Sequence, residues 1–391
     1  MHLNELFYYK FPGLKIDGTV YSPYRVCPLG AHVDHQLGLV TGFALDHGVT
    51  LVYSKSEEPI IEIYSMNFDG HVRFTVKPEP HLHHNWGDYA RAAMKSLYVH
   101  GYHLKYGFSG VIEGSLPVGG LSSSAAVILA YISVLCRVNE ISVERNELID
   151  LALWAERKFI GLNVGKLDQS CEVYCEEDHL LFLDTQNNQY VNIPKNPAMK
   201  PFKIGIFFSG VSRTLVNSAY NARVDECKVA AYCLKAYEGI SYEKLADTYL
   251  RDVNKAVYDK HAHLLPENFR KRAIHFYSEN ERVLQGIKAW EDGDIELFGK
   301  MIFESGNSSI VNYESGSPEL RALHEIMTRT DGIYGGRFSG AGFKGCCMAI
   351  IDPEKEQEIE KYVTEEYLKC FPELEGKFSV HFCNTSNGVV L

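Results

Sequence analysis

The chain has 391 residues, of which 46% are hydrophobic and 23% are charged. This composition excludes a disordered chain, a collagen and a small disulfide scaffold, and the length favours two domains over one core. Lysine and arginine total 39 against 50 aspartates and glutamates, a net charge of -11. The charge argues against nucleic acid or membrane as a partner, so an anionic small molecule needs a local basic pocket.

The sequence indicates a cytoplasmic protein with reduced thiols. Its N-terminal segment lacks a secretory signal, neither end carries a lipidation motif, and the longest apolar stretch, 125–136, is too short to span a bilayer. The ten cysteines are scattered without paired CxxC spacing. Cys171 and Cys175 have the spacing of a metal clip on a helix, but two small buried side chains are the favoured interpretation.

The first half is predicted to contain strands followed by two long helices. Strands are expected at 48–54, 60–65 and 72–76, and Asp69-Gly70 favours a tight hairpin turn between the last two. One helix begins within 120–135, and a second follows Ser142 with apolar residues at helical spacing from Leu148 to Phe159. A further strand is expected at 180–185.

Residues 193–201 contain three prolines and form the best domain boundary. We therefore predict an N-terminal domain over 1–195 and a C-terminal domain over 202–391. In the second domain we expect strands at 203–210, 346–352 and 378–383, a helical region through about 235, and a helix started by a capping box of Ser278 and Glu281. Strands and helices mix without regular alternation, which predicts an α+β fold.

The segment 117–126, PVGGLSSSAA, combines glycines with three serines at the start of a helix. Such a junction suits phosphate, because free backbone N–H groups and the helix dipole point at the anion, and serine hydroxyls add donors or a magnesium ligand. A serine-rich helix cap is the equally weighted alternative, since the chain has no GxxxxGK[ST] loop.

A second glycine-rich segment, 340–345, matches GxGxxG but leads into a strand, the opposite of the order that a dinucleotide-binding fold requires. The segment is either a tight turn, or a loop of the other domain that packs beside the phosphates of a bound ligand.

Two further segments carry side chains suited to chemistry. His32 and Asp34 can present hydrogen-bonding groups to sugar hydroxyls from one side of an extended segment, although such pairs are mostly structural. Asp168 follows a glycine-containing turn and Glu156 lies twelve residues earlier. Asp168 is either a helix cap or, with Glu156, part of a pair made of a base and a magnesium ligand.

Two other patterns are set aside. His81, His83 and His84 cluster in a loop without a cysteine or carboxylate at matching spacing, which argues against a metal site. Phe68-Asp69-Gly70 has the letters of a kinase magnesium motif in the wrong order along the chain.

Three segments, in this order, resemble the galactokinase branch of the GHMP kinases, the superfamily named for galactokinase, homoserine kinase, mevalonate kinase and phosphomevalonate kinase. They are RVCPLGAHVDH (25–35), PVGGLSSSAA (117–126) and GGRFSGAGFKGCC (335–347). GKLDQS (165–170) and SAYNARVDEC (218–227) also fall where that family places its base and a sugar-contacting tyrosine.

The resemblance implies an ATP- and Mg²⁺-dependent sugar-1-kinase with two α+β domains and the active site between them. It makes Asp168 the base, assisted by Arg25, and Ser124 and Glu156 the Mg²⁺ ligands. The residues implied to bind ATP are Gly119, Gly120, Leu121, Ser122, Ser123, Ser124, Gly340 and Gly342. The residues implied to hold the sugar are Ala31, His32, Asp34, His35 and Tyr220.

One departure from the family bears on the substrate. Galactokinases have a glutamate just before the histidine, in contact with the C6 hydroxyl, and this chain has Ala31. Alanine removes a negative charge and leaves space, which suits a C6 carboxylate. The motifs also resemble those of the galacturonokinases of plants, so we expect D-galacturonate rather than D-galactose as the substrate.

Three basic residues are candidates for the partner of that carboxylate: His35, which we favour, Lys166 and Arg213. The alternatives to a galacturonate kinase are a galactokinase and, more remotely, a sugar sensor that binds ATP and galactose without catalysis. The uninterrupted serine run together with Asp168 and Arg25 argues against the sensor.

Overall fold

The computed structural model describes residues 2–211, 216–241 and 243–390, with the side chains of 216–219 left out of the description. These residues form two sheets with helices packed against them, and the predicted α+β class is confirmed.

The first sheet is organised around one long strand. Its first seven strands are β1 (Gly18–Val26), β2 (Leu39–Ser56), β3 (Ile60–Ser65), β4 (His71–Thr75), β5 (Gly107–Gly114), β6 (His179–Asp184) and β7 (Gln189–Pro194). β2 has 18 residues and pairs antiparallel with β1, β5 and β6 along different parts of its length. The helices at Ser123–Val138, Leu167–Tyr174 and Glu267–Glu291 pack against β2, and most of its residues are buried.

The helices of this half are α1 (Leu3–Lys10), α2 (Asp88–Val99), α3 (Ser123–Val138), α4 (Arg145–Trp154) and α5 (Leu167–Tyr174). α3 is buried along most of its length because its apolar residues occur on all sides, and it packs against α2, β1 and β2. α4 continues directly into a π-helical segment, Ala155–Ile160. Such segments are frequent at functional sites.

The second sheet contains β8 (Lys203–Phe208), β9 (Ile333–Phe338), β10 (Cys346–Ile351) and β11 (Ser379–Cys383), in the antiparallel order β11-β8-β10-β9. Its helices are α6 (Val216–Glu238), α7 (Lys255–His261), α8 (Glu267–Glu291), α9 (Ile295–Val311), α10 (Pro318–Arg329) and α11 (Glu356–Cys370). α10, α11, β9 and β10 enclose a separate apolar cluster around Met327, Ile351 and Val363.

The end of the chain returns to the first sheet. A two-residue strand, β12 (Thr385–Ser386), pairs with β2, and the backbone N–H groups of Gly388 and Val389 donate to carbonyls beside α5 at 2.8 and 2.7 Å. The proline-containing segment 193–201 connects β7 to β8, the passage from one sheet to the other. The domain limits at 195 and 202 stay predictions.

Most predicted strands and the first long helix agree with the structure within a few residues, and β3 and β4 pair as a hairpin. The strand predicted at 48–54 is wrong in its start, because β2 already begins at Leu39 and its buried apolar residues continue upstream of 48. The tight turn predicted at Asp69-Gly70 is also wrong, because residues 66–70 form a longer loop between β3 and β4. The helix start predicted at Ser278 is wrong, because α8 already begins at Glu267 and Ser278 lies inside it. The Ser278 hydroxyl donates to the His275 carbonyl at 3.2 Å, so a serine here continues the helix instead of capping it. None of the helices that the structure describes is long and apolar enough to cross a membrane.

Candidate active site

A cleft of about 320 Å³ lies where β1, α3 and α5 meet the loop between β9 and β10. Residues predicted from distant parts of the sequence line it together: Arg25, Ala31, His32, Asp34, Gly120, Ser122, Ser123, Ser124, Asp168, Tyr220 and Gly340.

Arg25 and Asp168 form an ion pair in the wall of the cleft. Arg25 Nη2 and Nε donate to the same oxygen, Asp168 Oδ1, at 2.5 and 2.8 Å, and the side chains are 4% and 19% exposed. Burial opposes the Arg25 charge, but the Asp168 carboxylate outweighs it, so the guanidinium pKa is raised. Because both donors use Oδ1, the other carboxylate oxygen is the one available to a ligand.

The glycine- and serine-containing segment, residues 117–124, forms the loop that leads into α3, and we call it the phosphate loop. Gly119 and Gly120 have φ of 137° and 88°, and Ser122 has the unusual value of 62° for a residue with a side chain. Ser122 Oγ is buried without a hydrogen-bond partner among the described residues. The unpaired N–H groups at the start of α3 lie at the same place, so the loop offers several donors to an anion.

The loop between β9 and β10, residues 339–345, packs directly on the phosphate loop, and we call it the glycine loop. A Cβ on Gly340 would stand 3.0 Å from Gly120 Cα, and a Cβ on Gly345 would stand 2.7 Å from the Gly119 carbonyl carbon. Ser339 Oγ donates to the Gly120 carbonyl at 2.6 Å. The glycine loop is therefore not an isolated turn, and its glycines permit a backbone-to-backbone approach that side chains would prevent.

Ser124 and Glu156 meet behind the phosphate loop. Ser124 Oγ donates to Glu156 Oε1 at 2.6 Å, and the Gln169 amide donates to Glu156 Oε2. Glu156 lies on the π-helical segment and is fully buried, and burial together with Asp168 raises its pKa to about 7. A hydroxyl, a carboxylate and the unpartnered Gln169 Oε1 form an oxygen donor set of the kind that Mg²⁺ takes, so these residues fit that ion.

Asp34 begins a short 3₁₀ turn, Asp34–Gln36, on the opposite wall. Its Oδ2 accepts a hydrogen bond from the Leu167 backbone N–H at 3.4 Å, which ties it to the start of α5. A Cβ on Gly165 would stand 2.0 Å from the same Oδ2, so only glycine fits there. Burial and the Asp168 charge raise the pKa of Asp34 to about 6.

His32 and Tyr220 complete this wall. The His32 ring stacks on Tyr313 at 4.3 Å between centroids, and His32 Nε2 is buried without a partner among the described residues. Burial, with Arg337 nearby, lowers the pKa of His32 well below its usual value, so the ring is neutral. Burial also raises the pKa of Tyr220, which leaves its hydroxyl protonated for hydrogen bonding.

Ala31 is buried at the edge of the cleft and brings no polar side chain to it. Its carbonyl accepts a hydrogen bond from His275 Nε2 at 3.0 Å, and the preceding Gly30 N–H donates to Glu279 Oε1 at 2.8 Å. Glu279 is in turn paired with Arg282 and Arg337. The backbone at Ala31 is thus held from α8, and the methyl group leaves room in the cleft.

Several residues predicted for the site lie elsewhere. The Leu121 side chain is in the core, although the Leu121 carbonyl accepts a hydrogen bond from the Arg25 backbone N–H. Gly342 lies within the glycine loop and packs on Ser315 and Phe338. His35 is buried outside the cleft, where its ring contacts the Tyr313 hydroxyl and the Gln36 amide at 3.0 Å each.

Two of the three candidates for a carboxylate partner, His35 and Lys166, lie in the described part of the chain, and neither lines the cleft as a free cation. Burial lowers the pKa of His35 to about 3, so the ring is neutral. Lys166 pairs with Asp150 at 2.9 Å. Arg213 lies outside the described residues.

A second cavity of about 500 Å³ shares Ser123 and Ser124 with the cleft. Its walls are mostly apolar and aromatic, with Tyr24, Phe68, Trp86, Tyr89 and Tyr131 among them, and the Phe68 and Trp86 rings are near-parallel with centroids 6.5 Å apart. This cavity was not predictable from sequence patterns, because its lining comes from separate strands, helices and loops. Two of the lining residues come from patterns that were set aside on the basis of the sequence. Phe68 belongs to Phe68-Asp69-Gly70, and His84 belongs to the histidine cluster.

Two ionisable residues near the cleft were also missed. Glu172 lies one helical turn after Asp168, and both its carboxylate oxygens are buried without a partner among the described residues. Burial and Asp168 raise its pKa well above the usual range, which leaves it neutral beside the ion pair. Lys344, in the glycine loop, lines the cleft.

The sequence offered two possible metal sites as minor alternatives, the Cys171 and Cys175 pair and the histidine loop at 81–84. Cys171 and Cys175 are buried thiols, as are most of the cysteines. The metal-type cluster found among the described residues is Asp46, His47 and Cys383, which includes no residue of the histidine loop or of the cysteine pair.

Two family models match the chain. The GHMP kinases N terminal domain matches residues 88–176, and the GHMP kinases C terminal model matches residues 284–369. A galacturonokinase of Arabidopsis thaliana is 40% identical over 390 residues, 95% of this chain and 89% of the relative. A galactokinase of Staphylococcus saprophyticus is 32% identical over 91% of each chain.

Solved structures agree with these matches. The crystal structure of Lactococcus lactis galactokinase complexed with galactose has a TM-score of 0.90 and 28% identity, covering 99% of this chain and 98% of that one. Methanococcus jannaschii mevalonate kinase has a TM-score of 0.66 at 17% identity, covering 96% and 100%, which is a likeness of fold alone.

Proposed function

The chain belongs to the GHMP kinases and is a sugar kinase that uses ATP, and from that premise we propose that it phosphorylates D-galacturonate at C1. The observation that carries the choice of sugar is Ala31, a small apolar residue at the cleft in a chain that is 40% identical to a galacturonokinase. The products are D-galacturonate 1-phosphate and ADP.

Asp168 acts as the base in this proposal. It takes the proton of the anomeric hydroxyl while the oxygen attacks the γ-phosphorus and the bond to the β-phosphate oxygen breaks. Arg25 keeps the carboxylate oriented through two bonds to one oxygen and adds positive charge beside the transferring group. Their short distances and low exposure support these roles.

The phosphate loop binds the β- and γ-phosphates through its N–H groups and the hydroxyls of Ser122 and Ser123. The glycine loop lies against it and closes the site from the other half of the chain. Ser124 and Glu156 are the residues that would hold Mg²⁺, with Gln169 orienting Glu156. A bound Mg²⁺ would neutralise charge on the phosphate oxygens.

The second cavity suits the base of ATP. It adjoins the phosphate loop at Ser123 and Ser124, and its aromatic walls match a planar heterocycle. The near-parallel rings of Phe68 and Trp86 offer flat aromatic faces on which a base could stack.

His32, Asp34 and Tyr220 are proposed to hold the sugar hydroxyls, since all three line the cleft opposite the phosphate loop. Asp34 accepts hydrogen bonds, Tyr220 donates or accepts, and the unpartnered His32 Nε2 is available to the sugar. A C6 carboxylate fits beside Ala31 because no side-chain anion stands at that residue.

D-Galactose is the second candidate, favoured by the likeness to the galactose complex of Lactococcus lactis galactokinase. ADP release with Mg·ATP, measured in parallel on D-galacturonate, D-glucuronate and D-galactose, separates the candidates. A kcat/KM at least about tenfold higher for galacturonate, or about 1.4 kcal/mol of transition-state discrimination, supports the uronate. Equal or faster turnover of galactose refutes it, and binding of sugar and nucleotide without ADP release indicates a sensor.

A further inference from the structure

The glycine loop carries one charged side chain, Lys344, and that residue lines the same cleft as Arg25 and Asp168. The other residues of the loop are glycine, alanine, phenylalanine and serine, whose packing on the phosphate loop needs small groups or backbone. Lys344 itself is only partly buried.

Lys344 has no anionic partner among the residues that the structure describes. Burial alone lowers its pKa, with no carboxylate acting on it. Arg25, the other cation of the cleft, is already committed to Asp168 and to the Gly120 carbonyl. Among the residues that the structure describes, the cleft therefore contains an ammonium group whose charge no carboxylate balances.

The position of Lys344 in the loop brings it next to the phosphates. The following residue, Gly345, approaches the phosphate loop so closely that a Cβ on Gly119 would stand 3.0 Å from Gly345 Cα. The backbone of Ala31, where a C6 carboxylate fits, is tied to α8 through a hydrogen bond between its carbonyl and His275 Nε2. Of the two anionic groups that the substrates bring, the polyphosphate is the one beside the glycine loop.

We propose that Lys344 binds the terminal phosphate oxygens of ATP and is a further catalytic residue, contributed by the C-terminal half of the chain. The proposal rests on the proposed function, since it assumes ATP in this cleft. A lysine acts as a point charge on phosphate, and here it stabilises the negative charge on the γ-phosphoryl oxygens as the group moves from ADP to the sugar oxygen.

The experiment compares Lys344→Met, which removes the charge, with Lys344→Arg, which keeps it. Lys369→Met is the control, because Lys369 is an exposed lysine paired with Glu366 on α11 and does not line the cleft. Calorimetry without sugar measures the affinity of each variant for the non-hydrolysable analogue AMP-PNP and for AMP, both with Mg²⁺. Circular dichroism checks the fold, and Lys344→Gln replaces the Met variant if that one is misfolded.

Loss of a charge-assisted bond to phosphate should weaken AMP-PNP binding about tenfold or more in Lys344→Met. AMP binding should not change, the arginine variant should stay within about threefold of wild type, and Lys369→Met should match wild type. The kcat/KM values for galacturonate and galactose should fall by the same factor.

Unchanged affinity for AMP-PNP in Lys344→Met overturns the proposal. A fall in kcat/KM confined to galacturonate also overturns it, since it assigns the lysine to the C6 carboxylate. If wild type phosphorylates neither sugar, the proposed function fails, whereas the comparison of AMP-PNP with AMP still decides the contact of Lys344.

Discussion

Replacing Asp34 with asparagine should stabilise the ligand-free protein at neutral pH while weakening sugar binding. Asp34 is held against α5 and Gly165 and close to Asp168, and these surroundings raise its pKa from 3.8 to about 6. An acid whose pKa is raised by folding binds its proton more tightly in the folded state. Its carboxylate therefore destabilises the folded protein at every pH at which it is ionised.

The size of the effect follows from linkage between proton binding and folding. Between pH 3.8 and about 6 the folded protein holds a proton that the unfolded chain has lost, so stability falls as pH rises. The full shift corresponds to about 3 kcal/mol, and about 2 kcal/mol of it develops between pH 4.5 and 7.5. Solvent in the cleft reduces these figures, because Asp34 is only partly buried.

Asparagine keeps an oxygen for the Leu167 N–H but carries no charge, so the variant lacks this pH-dependent loss. Denaturant unfolding of wild type and Asp34→Asn at pH 4.5 and 7.5 should give a difference in unfolding free energy that grows by about 1–2 kcal/mol in favour of the variant. Asp292→Asn, at an exposed ion pair on the surface, is the control and should show no such growth. A pH-independent difference, or one that favours wild type at pH 7.5, refutes the reasoning.

Three other substitutions test the proposed roles. Asp168→Asn should lower kcat, measured by the rate of ADP release, by about 10²-fold or more, while sugar binding, measured by calorimetry, should persist. Substantial turnover by this variant would exclude Asp168 as the base. Ala31→Glu adds a carboxylate where the uronate is expected and should lower the galacturonate-to-galactose ratio of kcat/KM about tenfold or more; an unchanged ratio would separate Ala31 from specificity. Glu156→Gln removes a charged oxygen beside Ser124 and should raise the half-saturating Mg²⁺ concentration with little change in the KM for sugar, whereas an unaltered Mg²⁺ requirement would exclude it as a ligand.

Local sequence was enough to predict features that depend on neighbouring residues. The phosphate loop is one, because glycines and serines before an apolar helix specify both the backbone and the donors within ten positions. The strands of the second sheet are another, since continuous apolar runs bounded by turns have few alternatives.

Features assembled from distant segments were not predictable in the same way. The second cavity combines residues from Tyr24 to Ile160, and apart from Val118, Ser123 and Ser124 of the phosphate loop its lining comes from segments that carry no binding motif. Ser278 failed as a helix start because the apolar periodicity of α8 extends upstream of it, and a capping pattern does not report that continuation. His35 failed to reach the cleft because the 3₁₀ turn after Asp34 directs it to Tyr313, which lies 278 positions later in sequence.

Arg25 connects two parts of the cleft, the proposed base Asp168 and the phosphate loop at Gly120, and this explains why the residue is an arginine. Arg25 Nε and Nη2 hold Asp168, while Nη1 donates to the Gly120 carbonyl at 3.1 Å. Ser339 of the glycine loop donates to that same carbonyl at 2.6 Å. One planar guanidinium thus fixes the proposed base relative to the phosphate loop, and the shared carbonyl fixes both relative to the C-terminal half. A lysine offers one point charge and cannot span Asp168 and Gly120 with the same fixed geometry, so charge alone would not align the sugar oxygen with the phosphate.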